Sequence, residues 1–471
     1  MRIVLATHAF YPHSVGGVER YTESCARAFQ ALGHDVALLA TRSAADGDEP
    51  GVRFADSEWH GVPIRRLSFN LGLAPEPYRL EWDNPWVNEQ ILEYASLRHA
   101  QVVHFIHGGR LSMSSVPLLK AAGLVVVASA LDYWFVCAVS NLKRTDGTLC
   151  DGPDWLAGEC IRCVLTRPWT QQDRTASLVA RAPNLALKGL GLTARALPGA
   201  KGRWSSARAQ TRRLAEMRGY LAQMDAVLCP SEFVAGVLRK NGFEPANFRH
   251  LPLGVDPPGQ RPLRLLPSRG PLQVGFLGRI EYAKGVHVLV EAVLSLAREL
   301  PIELKISGYP ENPEYLAALQ ARASDDRRVR FLGEAPSSAA ALEPLDVLVV
   351  PSLVYEAYPL VVREAQAYGL PVVVSDIGGA GEGVQHDVDG LRFRAGDVRE
   401  LARQLRRLLD EPALLAGLRA NVRPPLGVEP HAEQLLTLYQ DLLDAKQGGG
   451  LLAPVAKPNG AAPPSLSKSS D

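Results

Sequence analysis

The feature that most constrains this chain is a repeated unit: a short apolar run, closed by glycine, proline or serine, followed by apolar residues at helical spacing. In the first half the runs are Arg2 to Thr7, Val36 to Ala40, Val52 to Phe54, Ile64 to Leu67, Val102 to Phe105 and Leu124 to Ala128, with Asp225 to Ser231 reading as the last. In the second half they are Leu272 to Leu277, Ile302 to Ser307, Arg328 to Leu332, Val347 to Val350 and Gly390 to Phe393. Helical patterns lie between them, among them Val18 to Leu32, Val87 to Leu97, Met113 to Ala122 and His287 to Ala297. Runs apolar throughout are buried on both faces, which implies parallel sheets covered by helices: an α/β chain of Rossmann-like units. At 471 residues and 46% hydrophobic, it is long enough for two cores. The expected division is a first domain over 1–254, a Pro- and Gly-dense linker over 255–270, and a second domain over 271–428. A last helix follows over 429–446, then a Gly-, Pro- and Ser-rich tail over 447–471 that has little to bury.

Ligands of open α/β sheets bind outside the carboxyl ends of the strands. Three loops at such ends carry suitable chemistry. After strand one, Gly16-Gly17 opens a helix, where close backbone approach and free N–H groups suit a phosphate; the pattern is not G-x-G-x-x-G, which disfavours a nicotinamide cofactor. After Leu277, Gly278-Arg279-Ile280-Glu281-Tyr282-Ala283-Lys284-Gly285 places two cations between a strand and a helix, where a diphosphate would be gripped. After Val350, Glu356 stands at a strand end, and Glu364 lies inside a helix that starts at Pro359 and stops at Gly369.

The stretch from Tyr355 to Gly379, with its Glu356 and Glu364 pair, resembles the retaining glycosyltransferases of the GT-B fold, family 4, and the likeness covers nearly everything from Met1 to about Lys446. The resemblance implies two Rossmann-like domains facing a central cleft, with the last helix crossing back onto the first. It implies that Glu356 faces the donor hexose and Glu364 holds the ribose. Arg279 and Lys284 would clamp the pyrophosphate, Gly16 and Gly17 would approach it, and Tyr358, Pro359, Leu360 and Val361 would line the sugar pocket. The region near Gly308 and Gly333-Glu334 would border the nucleobase. The expected activity is transfer of a hexose from a nucleotide sugar to a hydroxyl of a glycan or lipid-linked acceptor, with no metal required for the chemistry. A sugar-nucleotide epimerase of the same fold and a silent sugar-nucleotide-binding protein are the alternatives.

One departure bears on catalysis: where many members carry His-Asp-Tyr-Trp-Phe, this chain has Leu131-Asp132-Tyr133-Trp134-Phe135. An apolar side chain cannot donate to a phosphate. Asp132, His8, His104 and His107 are the nearby polar candidates, and His107, at a strand's carboxyl end before Gly108-Gly109, is the preferred substitute.

Cysteine and charge mark an insertion over about 137–218. Cys137, Cys150, Cys160 and Cys163, with one C-x-x-C, can close a structural zinc site or stay a reduced cluster or pair as a disulfide, whereas Cys25 and Cys229 read as core. From Arg162 to Arg218 twelve basic residues face only Asp173 and Glu216, interleaved with Trp169, Leu178, Leu185, Leu192 and Trp204. That suits either an anionic membrane surface or a solvated helical face. A formal charge of +1 and the lack of a recognisable module exclude a nucleic-acid binder. No run nears the roughly 18 apolar residues of a bilayer span, and Met1 passes straight into a strand, so the expected location is cytoplasmic, peripheral at the inner face of a membrane.

Overall fold

The computed structural model describes residues 1–43, 52–71, 76–166, 176–196, 203–256 and 270–448. The centre of the 255–270 linker, the 449–471 tail, and Trp169, Asp173 and Leu197 of the insertion lie outside these residues.

The apolar runs form two sheets. The first joins β1 (Arg2–Thr7), β2 (Asp35–Ser43), β3 (Arg53–Trp59), β4 (Val62–Phe69), β5 (Val102–Phe105), β6 (Val125–Ser129), β7 (Ala226–Cys229) and β8 (Phe248–His250) in the order β3-β4-β2-β1-β5-β6-β7-β8. The second joins β9 (Leu272–Leu277), β10 (Ile302–Ser307), β11 (Val329–Gly333), β12 (Val347–Val350), β13 (Val372–Ser375) and β14 (Gly390–Phe393) in the order β11-β10-β9-β12-β13-β14. Every pairing is parallel except β3 with β4. Each order reverses once near its middle, between β1 and β5 and between β9 and β12, and such switch points open the crevices in which α/β proteins bind ligands.

Two expectations are corrected here. The run at Val52 to Phe54 is part of a strand reaching Trp59, which returns antiparallel as β4 through His60 and Gly61, both in left-handed conformation (φ 47° and 83°). A two-residue turn leaves no room for a crossover helix, so the hydrophobic pattern alone misses the reversal. The run at Asp225 to Ser231 is not the sheet's last strand, because Phe248-Arg249-His250 adds β8 beside it. Three residues of mixed polarity carry no periodic signal.

Packing follows from the runs. Val4, Ala6, Val103, Phe105, Val126 and Ala128 face one core of the first sheet, and Ile3, Leu5, Val102, Val125 and Val127 face another. Into that second core the final helix, Val428–Gly448, inserts Ala432, Leu435 and fully buried Tyr439. Tyr439 Oη lies 2.6 Å from His104 Nδ1, and His104 Nε2 lies 2.8 Å from Ser129 Oγ. Burial pushes the His104 imidazole down to about 3, so this histidine is a neutral core strut and leaves the set of site candidates.

Candidate active site

The loops after β9 and β12 are joined before any side chain meets. Leu353 N–H donates to Ala283 C=O at 2.9 Å. Gly285, at φ 68°, sits so tightly on the Pro351 carbonyl that a Cβ there would come within 1.9 Å of the oxygen. Only glycine fits, and its fit sets Lys284 over Glu356: Nζ to Oε1 is 2.7 Å. Ser352 Oγ donates to the same oxygen at 2.6 Å, and Glu356 Oε2 makes no hydrogen bond among the described residues. Burial alone would raise this carboxyl, but the charge and hydrogen bond of Lys284, the Ser352 hydroxyl and the charge of Arg279 outweigh it and hold it below its ordinary value. Behind it, Gly379 N–H donates to Glu356 C=O at 2.7 Å, so the Asp376-Ile377-Gly378-Gly379 turn after β13 fixes its backbone.

Glu364 lies in helix Leu360–Ala367, one residue later in start than the sequence suggests because Pro359 is its N-cap. Its Oε1 accepts from Arg20 Nη1 of the first sheet's opening helix and from Ser338 Oγ, each at 3.2 Å, again leaving Oε2 unbonded among the described residues. The two halves approach here. A Cβ on Gly17 would lie 3.2 Å from Leu360 Cδ1, and on the far side of the cleft Ser231 Oγ donates to Ala357 C=O at 2.7 Å. Gly16 caps helix Gly17–Ala31 in extended conformation with no side-chain bond, and a Cβ there would lie 2.8 Å from Glu19 Oε2.

Of the remaining expected residues, Arg279 is half exposed and bridges Glu281 (3.0 Å) and Glu311 (2.9 Å). Gly308, at φ 147°, packs on Gly278 C=O, where a Cβ would come within 1.7 Å, so β9 and β10 end in mutual backbone contact. The Tyr358 ring lies under the Arg363 guanidinium at 4.7 Å, and Val361 packs against the second sheet's core.

On the first sheet, Leu131 packs in the same apolar cluster as Tyr358 and Leu360. Beside it the histidines divide roles in a way the sequence does not reveal. His107 Nε2 donates to Asp132 Oδ2 at 2.9 Å while its Nδ1 accepts from Gly109 N–H at 3.1 Å, so both ring nitrogens are held within the protein. Asp132 Oδ1 accepts from Trp134 N–H at 2.8 Å. His8, just after β1, rests on the His107 ring (centroids 4.1 Å apart), and its Nδ1 is buried without a partner among the described residues. Burial, then the neighbouring His107, drives the His8 imidazole well below its ordinary value, against the pull of Asp132.

Sequence reading missed Tyr133, whose hydroxyl is buried with no partner among the described residues and which lies close enough to Glu356 that, after burial, that carboxylate is the main charge raising its pKa. Ser352, Ser338 and Arg20 were also missed: Arg20 meets its partner 344 residues away, and although Ser352 and Ser338 lie 4 and 26 residues from theirs, nothing in an isolated serine marks it as a carboxylate's donor.

The four insertion cysteines come from three places: Cys137 in the turn after β6, Cys150 at the end of a small hairpin (Lys143 paired with Leu149), and Cys160 and Cys163 one turn apart on helix Gly158–Leu165. All are free thiols. Burial and then the other cysteines raise Cys160 and Cys163, the latter to about 11. Gly152 N–H donates to Cys150 Sγ at 3.4 Å. Among the described residues no three Cys, His, Asp or Glu side chains stand in metal-ligating geometry.

Comparison with known proteins places these features. Residues 16–254 match the glycosyl transferase 4-like domain, and residues 271–411 match glycosyl transferases group 1. Glycogen synthase of Mycobacterium tuberculosis is 24% identical over 425 residues, covering 88% of this chain and 87% of that one. D-inositol 3-phosphate glycosyltransferase of Corynebacterium urealyticum is 34% identical over 182 residues, 36% of this chain and 43% of that one. Among solved structures, Anabaena HepE in complex with UDP superposes with a TM-score of 0.57 at 15% identity, over 95% of this chain and all of that one (100%). Sucrose-phosphate synthase of Thermosynechococcus elongatus gives 0.58 at 19%, over 94% and 100%.

Proposed function

Since this chain belongs to the glycosyl transferase 4-like family and has the GT-B fold, we propose that it is a retaining enzyme moving a hexose from a nucleotide sugar to a hydroxyl of a glycan or lipid-linked acceptor. That it is a glycosyltransferase follows from the family; donor, stereochemistry and acceptor are our reading. The observation that carries it is the matched use of two carboxylates at one cleft. Glu356 and Glu364 each spend Oε1 on the protein, on Lys284 with Ser352 and on Arg20 with Ser338, and each leaves Oε2 for a ligand hydroxyl. The reading gives Glu356 the hexose and Glu364 the ribose. The Tyr133 hydroxyl near Glu356, without a partner among the described residues, supplies a further donor. Anabaena HepE, a neighbour in fold, is bound to UDP and to UDP-glucose in its own structures, which supports a nucleotide-sugar donor here.

In the proposed reaction the bond between the anomeric carbon and the diphosphate oxygen breaks as the acceptor oxygen adds to the same face. The acceptor proton passes to the departing phosphate. Charge on that phosphate is met by Lys284, Arg279 and the N–H groups at Gly16 and Gly17, so the catalytic contribution is electrostatic and needs no metal. His8 takes the place of the imidazole missing at Leu131. It is neutral at physiological pH, and the His107–Asp132 pair orients it, which makes His107 a positioning residue rather than the direct contact expected from the sequence. Structural zinc in the cysteine insertion is a further proposal: three elements bring four thiols into mutual electrostatic range and Gly152 N–H supports Cys150 Sγ, but binding would have to draw the thiols into a ligating geometry they do not hold here.

A panel of nucleotide sugars tests the reading. A true donor at a hundredfold its dissociation constant adds about 2.7 kcal/mol of stability. Release of nucleoside diphosphate only with acceptor present supports transfer; conversion of donor alone would indicate epimerisation, and stabilisation without turnover a silent binder.

A further inference from the structure

The insertion between β6 and β7 has an outward face at odds with a solvated one. Helix Asn184–Ala196 turns Leu187, Gly191 and Ala194 inward, packed with Ile161, Leu165 and Ala207. Its opposite stripe, Leu185, Gly189, Leu192 and Ala196, is fully on the surface yet carries no polar side chain. Leu185 is 81% exposed and Leu192 55%; Leu178 on the preceding helix is 68% exposed and Trp155 78%. A surface helix ordinarily turns polar residues outward, and an apolar surround on both sides implies that something covers the second. Trp155 is tied to this helix through its neighbour Asp154, which pairs with Lys188 at 3.2 Å.

The basic run around this face is not uniform. Arg162 is committed to the carbonyls of Val179, Ala180 and Ala182, Arg213 is buried under Trp134 and Phe135, and Arg218 donates to Asn241 C=O. These hold the insertion together. Arg181 and Arg195, on the same helices as the exposed leucines, point to solvent and flank the apolar stripe. Apolar residues edged by cations complement one surface in particular, an anionic bilayer, whose boundary accepts leucine and tryptophan while its headgroups meet arginine. Among the described residues no helix is long and apolar enough to cross a membrane, so the contact would lie on the surface.

We propose that Trp155, Leu178, Leu185 and Leu192, with Arg181 and Arg195, form a docking face for an anionic lipid bilayer. The proposal does not depend on the donor or on the stereochemistry of transfer. It is tested by sedimenting the full chain with phosphatidylcholine vesicles, with and without phosphatidylglycerol, at low and high salt. Binding to the anionic vesicles is expected, falling as salt rises. L185E/L192E should weaken it at least tenfold with an unchanged melting temperature, since both side chains are exposed, and R181A/R195A should weaken it mainly on anionic vesicles. Equal sedimentation with both vesicle types, or undiminished binding by L185E/L192E, would overturn the proposal. So would concentration-dependent self-association that this variant abolishes, which would assign the face to a second copy of the chain.

Discussion

Replacing Lys284 by methionine keeps most of the stem and removes the charge that holds Glu356 ionised. In the native protein the pair is 2.7 Å apart with side chains only 25% and 13% exposed, so solvent screens it weakly. Without Lys284 the carboxylate retains the Ser352 hydroxyl and the more distant Arg279, while the burial that raises its pKa is no longer outweighed. An under-satisfied buried polar group costs about 1–3 kcal/mol, more when charged. Taking about 2 kcal/mol, and about 2–4 °C per kcal/mol for a unit of 150–250 residues, the expected loss is roughly 4–8 °C at neutral pH. The pH dependence gives the stricter test. A depressed carboxyl contributes stability that is fully present above its ordinary value near 4.5 and is lost as pH falls through the folded value. In Lys284→Met the sign inverts: a raised carboxyl costs stability at neutral pH and the cost fades as acid protonates it. Differential scanning fluorimetry from pH 8 to pH 4 should therefore show the gap between wild type and variant closing in acid. A gap independent of pH, or no gap, would refute the pairing as the determinant of the Glu356 charge. Transfer should meanwhile fall about a hundredfold or more, because the proposed reaction uses the same cation to meet the charge of the leaving phosphate.

Three further outcomes are expected. His8→Ala should lower turnover by about a hundredfold with donor affinity little changed, while His107→Ala, which removes only the support, should cost less and Leu131→His should not restore the loss; equal kinetics in wild type and His8→Ala would remove His8 from the site. Protein purified reduced and without chelators should carry close to one zinc per chain, lost in Cys160→Ser, and elemental analysis finding none would leave the insertion a thiol cluster. Gly308→Ala should destabilise by about 3 kcal/mol or more, since it would put a Cβ 1.7 Å from the Gly278 carbonyl oxygen at a φ of 147°; an unchanged melting curve would show that β9 and β10 do not close as described.

How far the sequence reveals this arrangement depends on range. Val347 to Val350, closed by Pro351-Ser352, announces a strand end, so Glu356 could be put at the mouth of a cleft from its own neighbourhood. Arg279 and Lys284 were placed in the same way, between Leu277 and Val286. What local pattern cannot convey is which loops meet. The Leu353 to Ala283 hydrogen bond that sets Lys284 on Glu356 spans 70 residues, and Arg20 reaches Glu364 across 344. The exchange of roles proposed for His107 and His8 is of this kind, since it rests on Gly109 N–H and Asp132 already occupying both His107 nitrogens. His104 misleads for the opposite reason: it sits in a strand whose other residues face the core, and only the final helix supplies the tyrosine that makes it structural. The basic run likewise reads as one face in sequence, whereas Arg162, Arg213 and Arg218 turn inward to bind carbonyls.

The central claim is transfer with retention at the anomeric carbon, and the most direct measurement is nuclear magnetic resonance of the first product formed from an α-linked nucleotide sugar and an acceptor. The account predicts a new glycosidic linkage of α configuration at the anomeric carbon and one equivalent of nucleoside diphosphate. A β-linked product would contradict it.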